Sequence, residues 1–107
     1  MAIASITKKQ HPKKDLELAR QIVLKGLAGH SVKVFLFGSR ATGRAARVSD
    51  IDIAVLPQVP LPYGVIADIR EQLEESPIIY TVDLVDLSGA EKTLLERVLK
   101  EGIEWSA

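Results

Sequence analysis

The sequence predicts a small α/β domain, and three observations carry that reading. Short β-prone apolar runs occur at 32–37, 51–56 and 78–87. The stretches between and after them repeat apolar residues at helical spacing. Glycine, proline and serine punctuate most of the junctions, where the chain has to turn. The expected order is αβ(α)βαβα, with a mixed sheet of three strands or slightly more flanked by helices.

Taken in order, residues 1–13 hold Lys8, Lys9, His11, Pro12 and Lys13 and read as a flexible lead-in to a single domain over 14–107. A helix is expected over 15–27, with Leu16, Ala19, Ile22, Val23 and Leu27 on one face and Gly26 and Gly29 at its stop. The first strand follows at 32–37. After it, Gly38 and Thr42-Gly43 suit a turn that opens a short helix. The second strand spans 51–56 and is closed by Pro57, Pro60 and Pro62. A second long helix over 63–75 turns Ile66, Ile69 and Leu73 inward and ends at Ser76-Pro77. The third strand covers 78–87. Ser88-Gly89-Ala90-Glu91 has the form of a capping box, opening a C-terminal helix that carries Leu94, Leu95, Val98, Leu99 and Ile103.

Composition narrows the function classes. Hydrophobic residues make up 47% and charged residues 26%, the balance of an ordinary globular domain. Fourteen basic and fourteen acidic side chains cancel, so no global field favours nucleic acid. Without cysteine there is neither a disulfide framework nor a thiolate metal site. No apolar run reaches the ~20 residues needed to cross a bilayer, and the first residues lack the form of a signal peptide. The expected setting is the cytoplasm, with no membrane partner.

The informative segment is Gly38-Ser39, ten residues, then Asp50-Ile51-Asp52. Aspartate is a poor strand former, yet two of them stand at the mouth of the second strand. Positions i and i+2 share one side of a strand, so Asp50 and Asp52 project together. Two such carboxylates repel unless a proton or cation lies between them. With oxygen ligands beside a phosphate, Mg²⁺ is the economical cation. The third strand adds Asp83 and Asp86, which face opposite sides of the sheet, so at most one joins the pair. If Asp83 joins, three carboxylates suffice for two Mg²⁺ ions in an in-line phosphoryl or nucleotidyl displacement. One ion would activate the attacking hydroxyl and the other would neutralise the leaving pyrophosphate. Asp86 would then be a solvated or turn-adjacent carboxylate. Gly38 lets backbone approach a phosphate, the Ser39 hydroxyl can donate to it, and Arg40 and Arg44 can clamp a triphosphate with forked hydrogen bonds.

Plainer readings exist for several of these residues. Ser39 also suits a helix cap, and Arg40, Arg44 and Arg47 also suit a charged surface. His11 and His30 read as bystanders in loops, and the Lys8–Lys14 cluster as a solvated terminus. Tyr63 and Trp105 read as packing or partner-contact residues rather than base-stacking ones. Glu71, Glu74 and Glu75 form the outer face of their helix.

Gly38-Ser39-Arg40-Ala41-Thr42-Gly43-Arg44, Ser49-Asp50-Ile51-Asp52-Ile53-Ala54-Val55 and Val82-Asp83-Leu84-Val85 together resemble the DNA polymerase β-like nucleotidyltransferase superfamily, specifically its minimal nucleotidyltransferases. The resemblance runs from the first strand through the third and implies the polymerase β-like fold. It further implies Mg²⁺-dependent transfer of a nucleoside monophosphate, AMP from ATP, to a hydroxyl acceptor. Asp50, Asp52 and Asp83 would be the metal ligands, and Asp83 would also help deprotonate the acceptor. Gly38, Ser39, Arg40 and Arg44 would bind the nucleotide. Minimal nucleotidyltransferases are typically paired with a small helical HEPN protein in toxin–antitoxin modules, where the nucleotidyltransferase is the antitoxin and a tyrosine of the HEPN toxin receives the AMP. Larger members of the superfamily continue into a helical domain that helps grip base and acceptor. A chain of this length is therefore expected to complete its site with a partner, a second copy or the acceptor itself. The alternatives are an antitoxin that neutralises by docking alone, and a nucleotidyltransferase acting on RNA or on a small molecule such as an aminoglycoside.

Overall fold

The computed structural model describes residues 12–38, 41 and 50–105. The described elements are α1 (Pro12–Gly26), β1 (Val32–Phe37), β2 (Ile51–Pro57), α2 (Val65–Glu75), β3 (Val82–Asp86), α3 (Lys92–Glu101) and β4 (Ile103–Trp105). The strands form one mixed sheet in the order β3-β2-β1-β4. β1 pairs antiparallel with β2 and with β4, whereas β2 and β3 run parallel. This is the mixed α/β sheet flanked by helices that the sequence predicts, with one strand more than the three it marks.

Two apolar layers hold the sheet. On one face, Ala19, Val23 and Leu27 from the α1 region and Ile69 and Leu73 from α2 pack against Val34, Leu36, Ile51, Ile53, Val55 and Leu84. On the other, Val98 of α3 packs with Phe35, Ala54 and Leu87, flanked by Leu94, Leu95, Phe37 and Val85. The strict alternation of strand side chains sorts β2 this way: 51, 53 and 55 toward α1 and α2, 52, 54 and 56 toward α3. The helices approach closely where α1 ends. A Cβ added at Gly26 would lie 2.5 Å from Cγ1 of Ile69, itself 1% exposed.

Several boundaries differ from those expected. α1 already begins at Pro12, a residue suited to the first helical position because its missing N–H would have no partner there. The helix therefore starts three residues before the expected Asp15, and residues 1–11 of the expected lead-in lie outside the described residues. β3 starts at Val82 rather than at 78. Residues 78–81 are β-prone, but the parallel pairing with β2 begins only at Ile51↔Val82. Ser88 does not open the last helix. α3 starts four residues later, with Glu91 at its cap and no side-chain cap bond. The Ser88 N–H instead binds Oδ1 of Asp86 at 2.9 Å, and Gly89 turns the chain at φ 72°. The helix stops at Glu101, and Ile103 belongs to β4, which pairs with β1 through Leu36↔Ile103, Phe35↔Glu104 and Val34↔Trp105.

Candidate active site

β1 ends where β2 and β3 begin, so one end of the sheet collects the exit of one strand and the entrances of two. The register there sets Phe37 opposite Asp52 and Asp52 opposite Asp83. Phe37, Asp52 and Asp83 thus form one row across three strands, on the face covered by α3. The next row inward is Phe35, Ala54 and Val85, all within the apolar layer under α3. The acidic row therefore lies at the rim of that layer, with Asp52 half-buried and Asp83 exposed. Neighbouring strands lie about 4.8 Å apart, which makes Asp52 and Asp83 adjacent carboxylates on one surface.

The entrance of β2 is pinned by a bond from the Ile51 N–H to the Thr81 carbonyl, 2.9 Å long. This bond fixes the parallel register, and with it the pairing of Asp52 with Asp83. Asp50 lies two residues before Asp52, just outside the strand, and is exposed. Among the described residues, no three acidic or imidazole side chains close into a metal-holding group. What the backbone brings together is the Asp52–Asp83 pair, with Asp50 at its edge.

Gly38 terminates β1 in the left-handed region, at φ 75°. A Cβ there would stand 3.3 Å from Cγ of Asp52 and closer still to its Oδ2. The sequence suggests that this glycine admits a phosphate. The structure adds that it also makes room for the Asp52 carboxylate, a demand visible only once β1 and β2 are paired. The Ala41 N–H binds the Gly38 carbonyl at 3.1 Å, so the chain turns at once after the strand. Ser39, Arg40, Arg44 and Arg47 lie outside the described residues.

Asp86 is placed differently. It pairs with Val55, on the opposite sheet face and at the opposite end. There it is exposed and lines a cavity of about 300 Å³ with Leu61, Tyr63, Gly64 and Ile66. Tyr63 is fully exposed, Trp105 is buried against the α1 side of the sheet, and His30 sits in the turn after α1.

Residues 28–104 match the family model described as polymerase beta, nucleotidyltransferase. The chain belongs to this family. The nucleotidyltransferase match covers β1, β2, β3 and the first two residues of β4, and Gly38, Asp50, Asp52 and Asp83 fall within it. Among curated proteins, the chain is 33% identical over 67 residues to the "Probable protein adenylyltransferase MntA" of Haemophilus influenzae, over 63% of this chain and 59% of that one. It is 39% identical over 69 residues to the protein adenylyltransferase MntA of Shewanella oneidensis, over 64% of this chain and 49% of that one. The matched stretch thus spans only half to three-fifths of these relatives. Among solved structures, it is similar to a complex of tri-AMPylated Shewanella oneidensis HEPN toxin with MNT antitoxin, at a TM-score of 0.62 and 25% identity. That match covers 89% of this chain and 72% of the other.

Proposed function

We propose that this chain is a Mg²⁺-dependent nucleotidyltransferase that moves AMP from ATP to a tyrosine hydroxyl of a HEPN toxin, and so acts as its antitoxin in the cytoplasm. The observation that carries the reading is the Phe37–Asp52–Asp83 row, which sets two carboxylates side by side at the strand exit marked by Gly38. The family match and relatives named as protein adenylyltransferases support the chemistry. The likeness to an MNT antitoxin bound to an AMPylated HEPN toxin supports the acceptor. Residues 14–107 are read as the nucleotidyltransferase domain.

The donor chemistry fits Mg²⁺: the candidates are carboxylate oxygens, which suit a hard cation, and the register sets two of them, on Asp52 and Asp83, side by side. Asp50, Asp52 and Asp83 would hold the metal, which when bound polarises the phosphate and neutralises charge on the leaving pyrophosphate. Asp83, at the exposed end of the row, takes the proton of the acceptor hydroxyl. The acceptor oxygen then forms a bond to the α-phosphorus, the bond from that phosphorus to the β-phosphate oxygen breaks, and pyrophosphate departs. Gly38, Ser39, Arg40 and Arg44 bind the triphosphate through N–H groups, the Ser39 hydroxyl and guanidinium forks.

Incubation with α-labelled ATP, Mg²⁺ and the HEPN partner tests this reading. Label is expected on the partner, and Asp52→Asn is expected to abolish it. Neutralisation of the toxin that persists in Asp50→Asn/Asp52→Asn with no label transferred would replace the proposal with docking alone.

A further inference from the structure

The sheet has two edges, and they are finished differently. β3 forms one. The Ile51 N–H to Thr81 carbonyl and Leu87 N–H to Val55 carbonyl bonds turn the odd-numbered main-chain groups of this segment toward β2. The Leu84 carbonyl therefore points outward, and Nη2 of Arg70 donates to it at 2.8 Å. An outward carbonyl held by an arginine from α2, with Asp83 and Asp86 exposed alongside, is a blunted edge.

Among the described residues, β4 forms the other edge, and its surroundings are of the opposite kind. Ile103 is 48% exposed at its start. At its other end, Trp105 joins Leu24, Leu27, Val32 and Val34 in lining a cavity of about 290 Å³, with His30 and Glu104 also on its walls. An edge strand with a side-chain-sized cavity beside it, walled by apolar side chains on one part and polar groups on another, is the arrangement that binds an added strand. Main-chain bonds supply the affinity, and the cavity selects alternate side chains.

The charge at the centre of β4 decides the occupant. Glu104 is exposed and lies between two apolar residues, Ile103 and Trp105. An antiparallel second copy centred on this strand would set Glu104 against Glu104, and like charges directly opposed across a pair are destabilising. We infer that the β4 edge is a strand-addition site for an extended segment of a partner protein in which a bulky apolar residue, seated in the cavity, is next to a lysine or arginine that meets Glu104. This inference does not depend on the adenylyl-transfer reading, because β4 contributes nothing to the acidic row.

The chain has a single tryptophan, Trp105, so its own emission reports the site. The test titrates the full chain with a short capped peptide alternating lysine with phenylalanine and valine. A matching peptide carrying glutamate in place of lysine is run beside it. The lysine peptide should shift Trp105 emission, and the glutamate peptide should bind at least about tenfold more weakly. Glu104→Lys should reverse that order, which mere loss of folding would not do. Methylation of alternate amide nitrogens along one edge of the lysine peptide should abolish binding. Four results would overturn the inference: no emission change with either peptide, equal binding of the methylated peptide, an unchanged preference in Glu104→Lys, or a dimer of the chain that masks β4 in solution.

Discussion

Asp83 and Asp86 stand three residues apart on one five-residue strand, and the fold gives them different surroundings. Asp83 is carried to the end where β1 exits, in register with Asp52 and on the face of the Phe37 row. Asp86 is carried to the far end and the far face, where its carboxylate accepts the Ser88 N–H and helps the chain turn toward α3. The difference comes from an odd offset along a strand of period two, together with a parallel register pinned by the Ile51–Thr81 bond. A carboxylate on a strand acquires a role from the neighbour that the register gives it, and Asp86 has only a local one.

The largest expected effect separates the two ends directly. Asp83→Asn should lower AMP transfer by roughly 10³-fold, the scale of a lost acid–base group, and Asp52→Asn, which removes a metal-holding carboxylate, should abolish it, both leaving the thermal midpoint near that of the parent chain. Gly38→Ala comes next. It should cost about 1–2 kcal/mol from the left-handed backbone alone and also lower transfer by crowding Asp52, which thermal unfolding and label transfer would read separately. Gly26→Ala presses on Ile69 at the α1–α2 crossing, remote from the acidic row. The urea midpoint should fall by the equivalent of about 1–3 kcal/mol, with transfer per folded molecule unchanged. Asp86→Ala should be the mildest, losing about 0.5–1.5 kcal/mol with its hydrogen bond and no transfer activity. If Gly26→Ala or Asp86→Ala lowered transfer as far as Asp83→Asn does, the contrast between the two ends would fail.

Much of this contrast is legible in the sequence because the residues concerned lie on well-patterned strands. β1 is read at its true bounds, and the central strand misses only Pro57. The three-residue offset of Asp83 and Asp86 already sends them to opposite faces. Their partners are not legible, since the Asp52–Asp83 pairing requires β2 and β3 to be parallel and in one specific register. Nor is the demand on Gly38, which comes from a carboxylate fourteen residues away. β4 escapes for a different reason. Ile103 follows Leu99 at helical spacing, so it reads as the tail of a helix and the two residues after it show no strand pattern. All three are a strand because β1 offers them an edge. The same blindness hides Arg70, whose bond to Leu84 crosses fourteen residues of chain. Of the nucleotide-binding residues expected from the motif, Gly38 is placed beside Asp52, while Ser39, Arg40 and Arg44 lie outside the described residues.

The most direct test of the account is transfer of label from α-labelled ATP to the HEPN partner by Asp83→Asn and Asp86→Asn side by side, at equal concentration of folded protein. The account predicts label near the level of the parent chain with Asp86→Asn and almost none with Asp83→Asn. Loss of label with Asp86→Asn, or its retention with Asp83→Asn, would contradict it.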